Sequence, residues 1–214
     1  MTAVAALDVV DLGHLPVPAF VTVQDDLLAA RLAGQRPDTL LVARHPATIT
    51  YPGPRPPYLL RDDAELDQTG VARVRTVRGG SALYLDPGYL CLCPVADVSR
   101  FGGAADYPDA LQRVTVRALR ALDVPARSRS GWSGVWLHAD RRIATIGVAV
   151  RRTVSSFGVF LNVAADLDLC AVVPKCGPDC GSMTSLEREY GADRPSDADL
   201  VAAFAHAWEE AVHV

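Results

Sequence analysis

Residues 135–163 read VWLHADRRIATIGVAVRRTVSSFGVFLNV, and the choice of architecture turns on them. Three apolar or β-branched runs, Val135 to His138, Arg142 to Val150 around Gly147, and Gly158 to Val163, follow one another with connections too short to hold a crossover helix. Parallel neighbours need a dozen or more residues to return to the same end of a sheet, so these runs predict successive antiparallel strands.

Working upstream, Val17 to Leu32 carries apolar residues at helical spacing and stops near Gly34, which predicts a helix that packs on a sheet. Thr39 to Ala43 (TLLVA), closed by His45-Pro46, and Thr48 to Tyr51, closed by Pro52-Gly53, read as strands. Four prolines between Pro52 and Pro57 exclude regular structure there. Val71 to Val77 alternates as a strand, meets Arg78-Gly79-Gly80 and resumes from Ala82, a strand-turn-strand pattern. After Gly88, Tyr89 to Val95 reads as a strand that puts Cys91 and Cys93 on one face by its period of two. Downstream of it, Pro108 to Leu122 and Ser196 to Val212 carry the start signals and periodicity of helices. The expectation is an α+β fold, a mixed and largely antiparallel sheet flanked by helices, in one domain spanning residues 1–214.

The 214 residues are 50% hydrophobic, ample for a core without disulfide or metal staples. With 25 acidic residues against 21 basic and no long basic run, nucleic acid is an unsuitable partner. No basic n-region precedes an apolar run at the start, and no stretch reaches the ~20 apolar residues that span a bilayer, so we expect no membrane partner and a cytoplasmic location. Five cysteines, an odd number, then point to reduced thiols.

Two segments could carry chemistry. In Arg78-Gly79-Gly80-Ser81-Ala82, paired glycines let the backbone approach a ligand beside a cation, or they make a plain hairpin turn. In Val173-Pro174-Lys175-Cys176-Gly177-Pro178-Asp179-Cys180-Gly181, Pro and Gly exclude regular structure and would hold the Cys176 thiol on a rigid loop. A thiolate is a strong nucleophile and a good acyl carrier, and the loop setting favours that role over an inert core thiol. Cys91, Cys93, Cys176 and Cys180 could in principle form a four-thiolate zinc site, although the first pair is closely spaced. His45 and His138 lack a metal-like pattern and read as structural or surface residues.

Taken in order, the motifs resemble the lipoyl/octanoyl transferase family, within the wider group of lipoate and biotin protein ligases. The resemblance runs from His45-Pro46 with Thr50 and Gly53, through Arg78-Gly79-Gly80 with Tyr84 and Pro87-Gly88, to Gly134-Val135-Trp136. It continues through Arg142-Ile143-Ala144-Thr145-Ile146-Gly147-Val148, Gly158 with Leu161-Asn162, Asp166-Leu167, and Cys176-Gly177 with Thr184-Ser185-Leu186. The resemblance implies the fold of biotin and lipoate ligase catalytic domains and a transfer reaction. An acyl group passes from acyl carrier protein to the loop cysteine as a thioester, then to a lysine of a lipoyl-type acceptor domain. Cys176 matches that cysteine. The acyl pocket would be lined by Arg78, Gly79, Gly80, Ser81, Tyr84 and Leu85, by Thr145, Ile146 and Gly147, and by Gly158, Val159 and Phe160. No cofactor or metal is implied.

The sequence also departs from the family pattern. The family lysine beside the cysteine falls at Arg142, which stays protonated beyond pH ~12 and can stabilise a thiolate without shuttling a proton. Leu85 and Phe157 stand where histidines are expected, and Phe160 stands where a small residue is usual, so Phe160 should fill part of the acyl channel. Lys175 is inserted before Cys176 and could stand in for the missing lysine. These changes keep open a catalytically degenerate binding protein of the same fold. Leu85-Asp86 keeps open an adenylating ligase.

Overall fold

The computed structural model describes residues 7–53, 67–138, 140–173 and 182–212. In chain order the elements are β1 (Asp8–His14), α1 (Val17–Leu32), β2 (Thr39–Arg44), β3 (Thr48–Pro52), β4 (Ala72–Thr76), β5 (Leu83–Leu85) and β6 (Tyr89–Val95). A short 3-10 turn, Val98–Phe101, leads to α2 (Tyr107–Arg120), β7 (Ala126–Arg129), β8 (Trp132–Leu137), β9 (Arg141–Arg151) and β10 (Val154–Asn162). The chain continues through α3 (Leu167–Cys170), β11 (Ser182–Met183), α4 (Leu186–Tyr190) and α5 (Asp197–Val212).

The main sheet has the order β1-β2-β6-β10-β9-β8-β7, with β11 added alongside β9. Strands β8, β9 and β10 are antiparallel, with Gly158 opposite Gly147 and Val135 opposite Ala144, as their short connections require. Among the described residues, only β1 with β2 and β11 with β9 pair parallel in this sheet. Period-two alternation divides the core. Leu90, Leu92, Val159 and Leu161 face the layer of α2 and α5, where Leu111, Val114, Phe204 and Trp208 are buried. Tyr89, Cys91, Cys93 and Phe160 face the other layer, which holds α1 and a second sheet. A strand buried on both faces has no polar side to show, which is why β2 and β6 read as nearly continuous apolar runs.

The second sheet bears on the two readings of the glycine pair. Its order is β4-β3-β5, so β3 lies between the two strands that flank Arg78-Gly79-Gly80. Strand β4 is parallel to β3 and β5 is antiparallel to it. The glycine pair is therefore no hairpin turn between paired strands. It is a loop that crosses over and lies against β9, where the Gly79 amide donates to Val148 O at 2.8 Å.

Helix α1 buries Val17, Phe20, Gln24 and Leu28, one stripe at helical spacing. Gln24 is the polar member, and its Oε1 accepts from the Phe157 amide at 2.7 Å. Phe157 has a left-handed backbone (φ 58°), so the helix supplies the partner that an irregular strand position lacks. At the C-terminal helix, Ser196 Oγ accepts from the Asp199 amide and donates to the Asp199 carboxylate at 2.6 Å, a reciprocal cap.

Candidate active site

The site grows out of Arg78. Its side chain is 2% exposed, yet its donors all have acceptors close by. Nη2 donates to Thr50 O at 3.0 Å and to Thr50 Oγ1 at 2.8 Å, and Nη1 donates to Ser81 O at 2.8 Å. The guanidinium also lies 5.8 Å from the Phe160 ring centre, a cation-π contact in a desolvated place. Arg78 thus ties the 78–81 loop to β3 and to β10. Gly147 lets the loop settle there: a Cβ on it would come within 3.2 Å of Arg78 Cδ and 3.3 Å of Gly79 O.

A cavity of about 520 Å³ opens beside this loop, within the size range of small-molecule sites. One wall is the loop and β5, from Gly80 through Tyr84. The opposite wall is β9, with Arg142, Thr145 and Ile146, and the turn residues Gly131, Trp132 and Ser133. Tyr89 of β6 and Cys170 of α3 border the cavity, and Val173 and Met183 complete the lining.

Arg142 is held on this wall by its neighbours. Its Nε donates to Met183 Sδ at 3.1 Å, its carbonyl accepts from the Thr184 amide at 3.0 Å, and β11 pairs with residues 141 and 142. Below β5, Asp86 is a junction: it accepts from the Tyr84 hydroxyl at 3.1 Å and from the amides of Gly88 and Asp166, both at 2.8 Å. Asp166 then caps α3 by accepting from the amides of Asp168 and Leu169. This chain of contacts sets α3 so that Cys170 Sγ meets the Tyr89 hydroxyl at 3.2 Å. Burial pushes the Cys170 thiol up to about 12, so at neutral pH it is a thiol and a poor nucleophile. Burial likewise pushes Cys91 up to about 12, and Cys93 well above its ordinary value.

Of the residues singled out from the sequence, Arg78, Gly80, Ser81, Tyr84, Arg142, Thr145 and Ile146 come together around this one cavity. Gly79, Leu85, Gly147, Gly158 and Val159 do not border it; Gly79 is exposed, and the other four are buried packing positions. Gly158 shows why: a Cβ there would meet Leu92 O at 2.3 Å, so its absence lets β6 and β10 approach. Phe160 was expected to fill part of the acyl channel, but it is buried beneath the Arg78 guanidinium, outside the cavity lining. Phe157 packs on Phe20 with ring centres 6.5 Å apart. His45 is buried, with Nδ1 2.8 Å from Leu15 O, and His138 is an exposed turn residue. Cys176, Lys175 and Cys180 lie outside the described residues. Among the described residues no group of three metal-ligating side chains comes together, and no helix is long and apolar enough to cross a membrane.

Sequence reasoning missed Tyr89, Cys170, Gly131, Trp132, Ser133 and Met183. Only Tyr89 carried a usable signal, because the period of two puts it on the same face as Cys91 and Cys93.

Comparison with known proteins fits this geometry. The sequence pattern of the lipoyl protein ligase A/B catalytic domain matches residues 19–209. An octanoyltransferase of Chloroflexus aggregans is 34% identical over 193 residues, covering 88% of this chain and 87% of its own. Among solved structures, a lipoate-protein ligase A bound with ATP superposes with a TM-score of 0.75 at 17% identity, over 98% of this chain and 86% of that one. A bi-partite lipoate protein ligase from Thermoplasma acidophilum, studied with its E2 lipoyl domain, gives 0.67 at 19% identity, over 97% and 84%. The two structures share the fold. The breadth of the pattern match and the identity to the Chloroflexus enzyme go further, and this chain belongs to the lipoyl protein ligase A/B catalytic domain family.

Proposed function

We propose that this chain is an octanoyltransferase acting in lipoate biosynthesis, moving an octanoyl-like group from an acyl carrier protein to a lysine of a lipoyl-type acceptor domain through a thioester on Cys176. The observation that carries this reading is the placement of Val173 and Met183, which bracket the cysteine segment in sequence and both line the cavity that holds Arg142. The reading requires Cys176 to reach the cavity from Val173, within the roughly 11 Å that three residues of chain can span.

The chemistry follows from the groups at hand. The Cys176 thiolate attacks the acyl carbonyl of the carrier thioester. The carrier's thiolate leaves and takes up a proton. The acceptor lysine amine then attacks the new thioester, an amide bond forms, and the Cys176 thiolate departs. A fixed guanidinium at Arg142 stabilises negative charge on sulfur throughout both halves. Being permanently protonated, it does not relay the proton lost by the amine, which passes to solvent or to Lys175. The acyl chain lies against Ala82, Leu83, Trp132 and Ile146.

A transfer assay tests the reading. Octanoyl carrier protein and a lipoyl-domain acceptor, without ATP, should give octanoylated acceptor. Product formed only from free octanoate and ATP would mean a ligase instead. Activity that appears only with Arg142→Lys would mean that the natural chain is a degenerate binding protein.

A further inference from the structure

Tyr89 and Cys170 are absent from the reaction just described, yet both border its cavity. Tyr89 is 1% exposed and Cys170 is 8% exposed. Their polar atoms make one hydrogen bond, 3.2 Å between the hydroxyl oxygen and Sγ, in which either could donate. Among the described residues neither atom has another partner. Two protons shared across one hydrogen bond leave one proton over, whichever way the bond is drawn. A buried hydroxyl donor left unmade costs about 1–3 kcal/mol and a buried S–H, a weak donor, costs less, so an acceptor brought to this pair is favourable. A second donor stands on the facing wall. Thr145 Oγ1 is buried and has no hydrogen-bond partner among the described residues, although Thr145 lines the same cavity.

We propose that the Tyr89–Cys170 pair is a substrate-binding element that, together with Thr145, donates hydrogen bonds to the carbonyl oxygen of the bound acyl group. The class of ligand follows from the chemistry of the walls. The hydroxyls of Tyr89 and Thr145 can donate or accept and the Cys170 thiol can donate weakly; an acyl thioester offers an acceptor oxygen and no donor at the head of its apolar chain, so toward it these groups act as donors. Burial keeps the Cys170 thiol protonated, which suits a donor and disqualifies a second nucleophile. Asp86, Asp166 and Arg142 are the charged groups coupled to this pair, and none of them supplies the missing acceptor within hydrogen-bond reach of it.

The inference rests on the acyl-transfer reading, and one binding experiment separates the two. In a Cys176→Ala background, where no acyl transfer can follow, the affinity for octanoyl-pantetheine is compared with that for octyl-pantetheine, the thioether that lacks the carbonyl oxygen. The account predicts a preference of about five- to tenfold for the carbonyl compound, the size of one or two hydrogen bonds. Adding Tyr89→Phe and Cys170→Ala together should bring the preference to about two-fold or less while octyl-pantetheine still binds, and Cys170→Ser in an otherwise unchanged pair should keep most of it. A preference that survives the double change, or none to begin with, overturns the assignment of the pair while leaving the acyl pocket intact. Failure of both compounds to bind overturns the acyl reading and the assignment with it.

Discussion

Arg78 holds the cavity wall from behind, donating to Thr50 and Ser81 while its charge rests on Phe160. Arg78→Met would leave those acceptors without partners in a buried place, and hydrogen bonds to a charged donor contribute about 1.5–3 kcal/mol each. The variant should melt several degrees lower and lose octanoyl binding, as followed by thermal denaturation and by titration with octanoyl-pantetheine. His45 predicts a pH effect. Burial lowers its pKa and outweighs the opposing bond to Leu15, so the unfolded chain takes up a proton that the folded chain refuses. Stability is therefore greatest above the unfolded value of about 6.5 and falls as the pH drops below it. Melting curves at pH 7.5 and 5.5 should show this loss, and His45→Gln should reduce it. At this scale a glycine pair made Arg78 legible in the sequence, whereas Tyr84, Thr145 and Arg142 were legible only through the family resemblance. The Tyr89–Cys170 contact was not legible, because it depends on how α3 is tilted by Asp86 and Asp166, two carboxylates far apart in sequence.

Among the elements, β9 and β10 do most to place the site, and two glycines opposite one another permit it. Gly147→Ala puts a methyl group against Arg78 Cδ at 3.2 Å, which the loop can relieve by moving outward. Gly158→Ala puts one 2.3 Å from Leu92 O, which the sheet cannot relieve without parting β6 from β10. We expect Gly147→Ala to fold, at a cost of about 1 kcal/mol, with weakened octanoyl binding, and Gly158→Ala to cost about 3 kcal/mol or to fail to accumulate as folded protein. Circular dichroism melts of the two variants check the ordering. Central strand β6 was readable because burial on both faces leaves it almost wholly apolar, whereas the reading of β10 began only at Gly158 because Ser155 and Ser156 interrupt its start. The flanking strands were not readable. β1 mixes Asp8, Asp11, Gly13 and His14 with its apolar residues, and β7 is Ala-Arg-Ser-Arg, both at sheet edges where one face meets solvent. The strand-turn-strand pattern around Gly79-Gly80 stands as β4, loop and β5, but local sequence says nothing of a third strand, β3, inserted between the two.

For the whole molecule, helices α2 and α5 cover one face of the main sheet, and α1 with the small sheet covers the other, leaving the cavity where the small sheet meets β9. Short connections between apolar runs were enough to predict the α+β class, while the division into two sheets needed contacts that only the folded chain makes. The account centres on a thioester at Cys176, formed beside a guanidinium. Intact-protein mass spectrometry after incubation with octanoyl carrier protein tests it most directly. The account predicts a single octanoyl adduct, released by hydroxylamine at neutral pH and absent from Cys176→Ser; an adduct that persists in that variant, or none at any carrier concentration while the acceptor is still octanoylated, would contradict it.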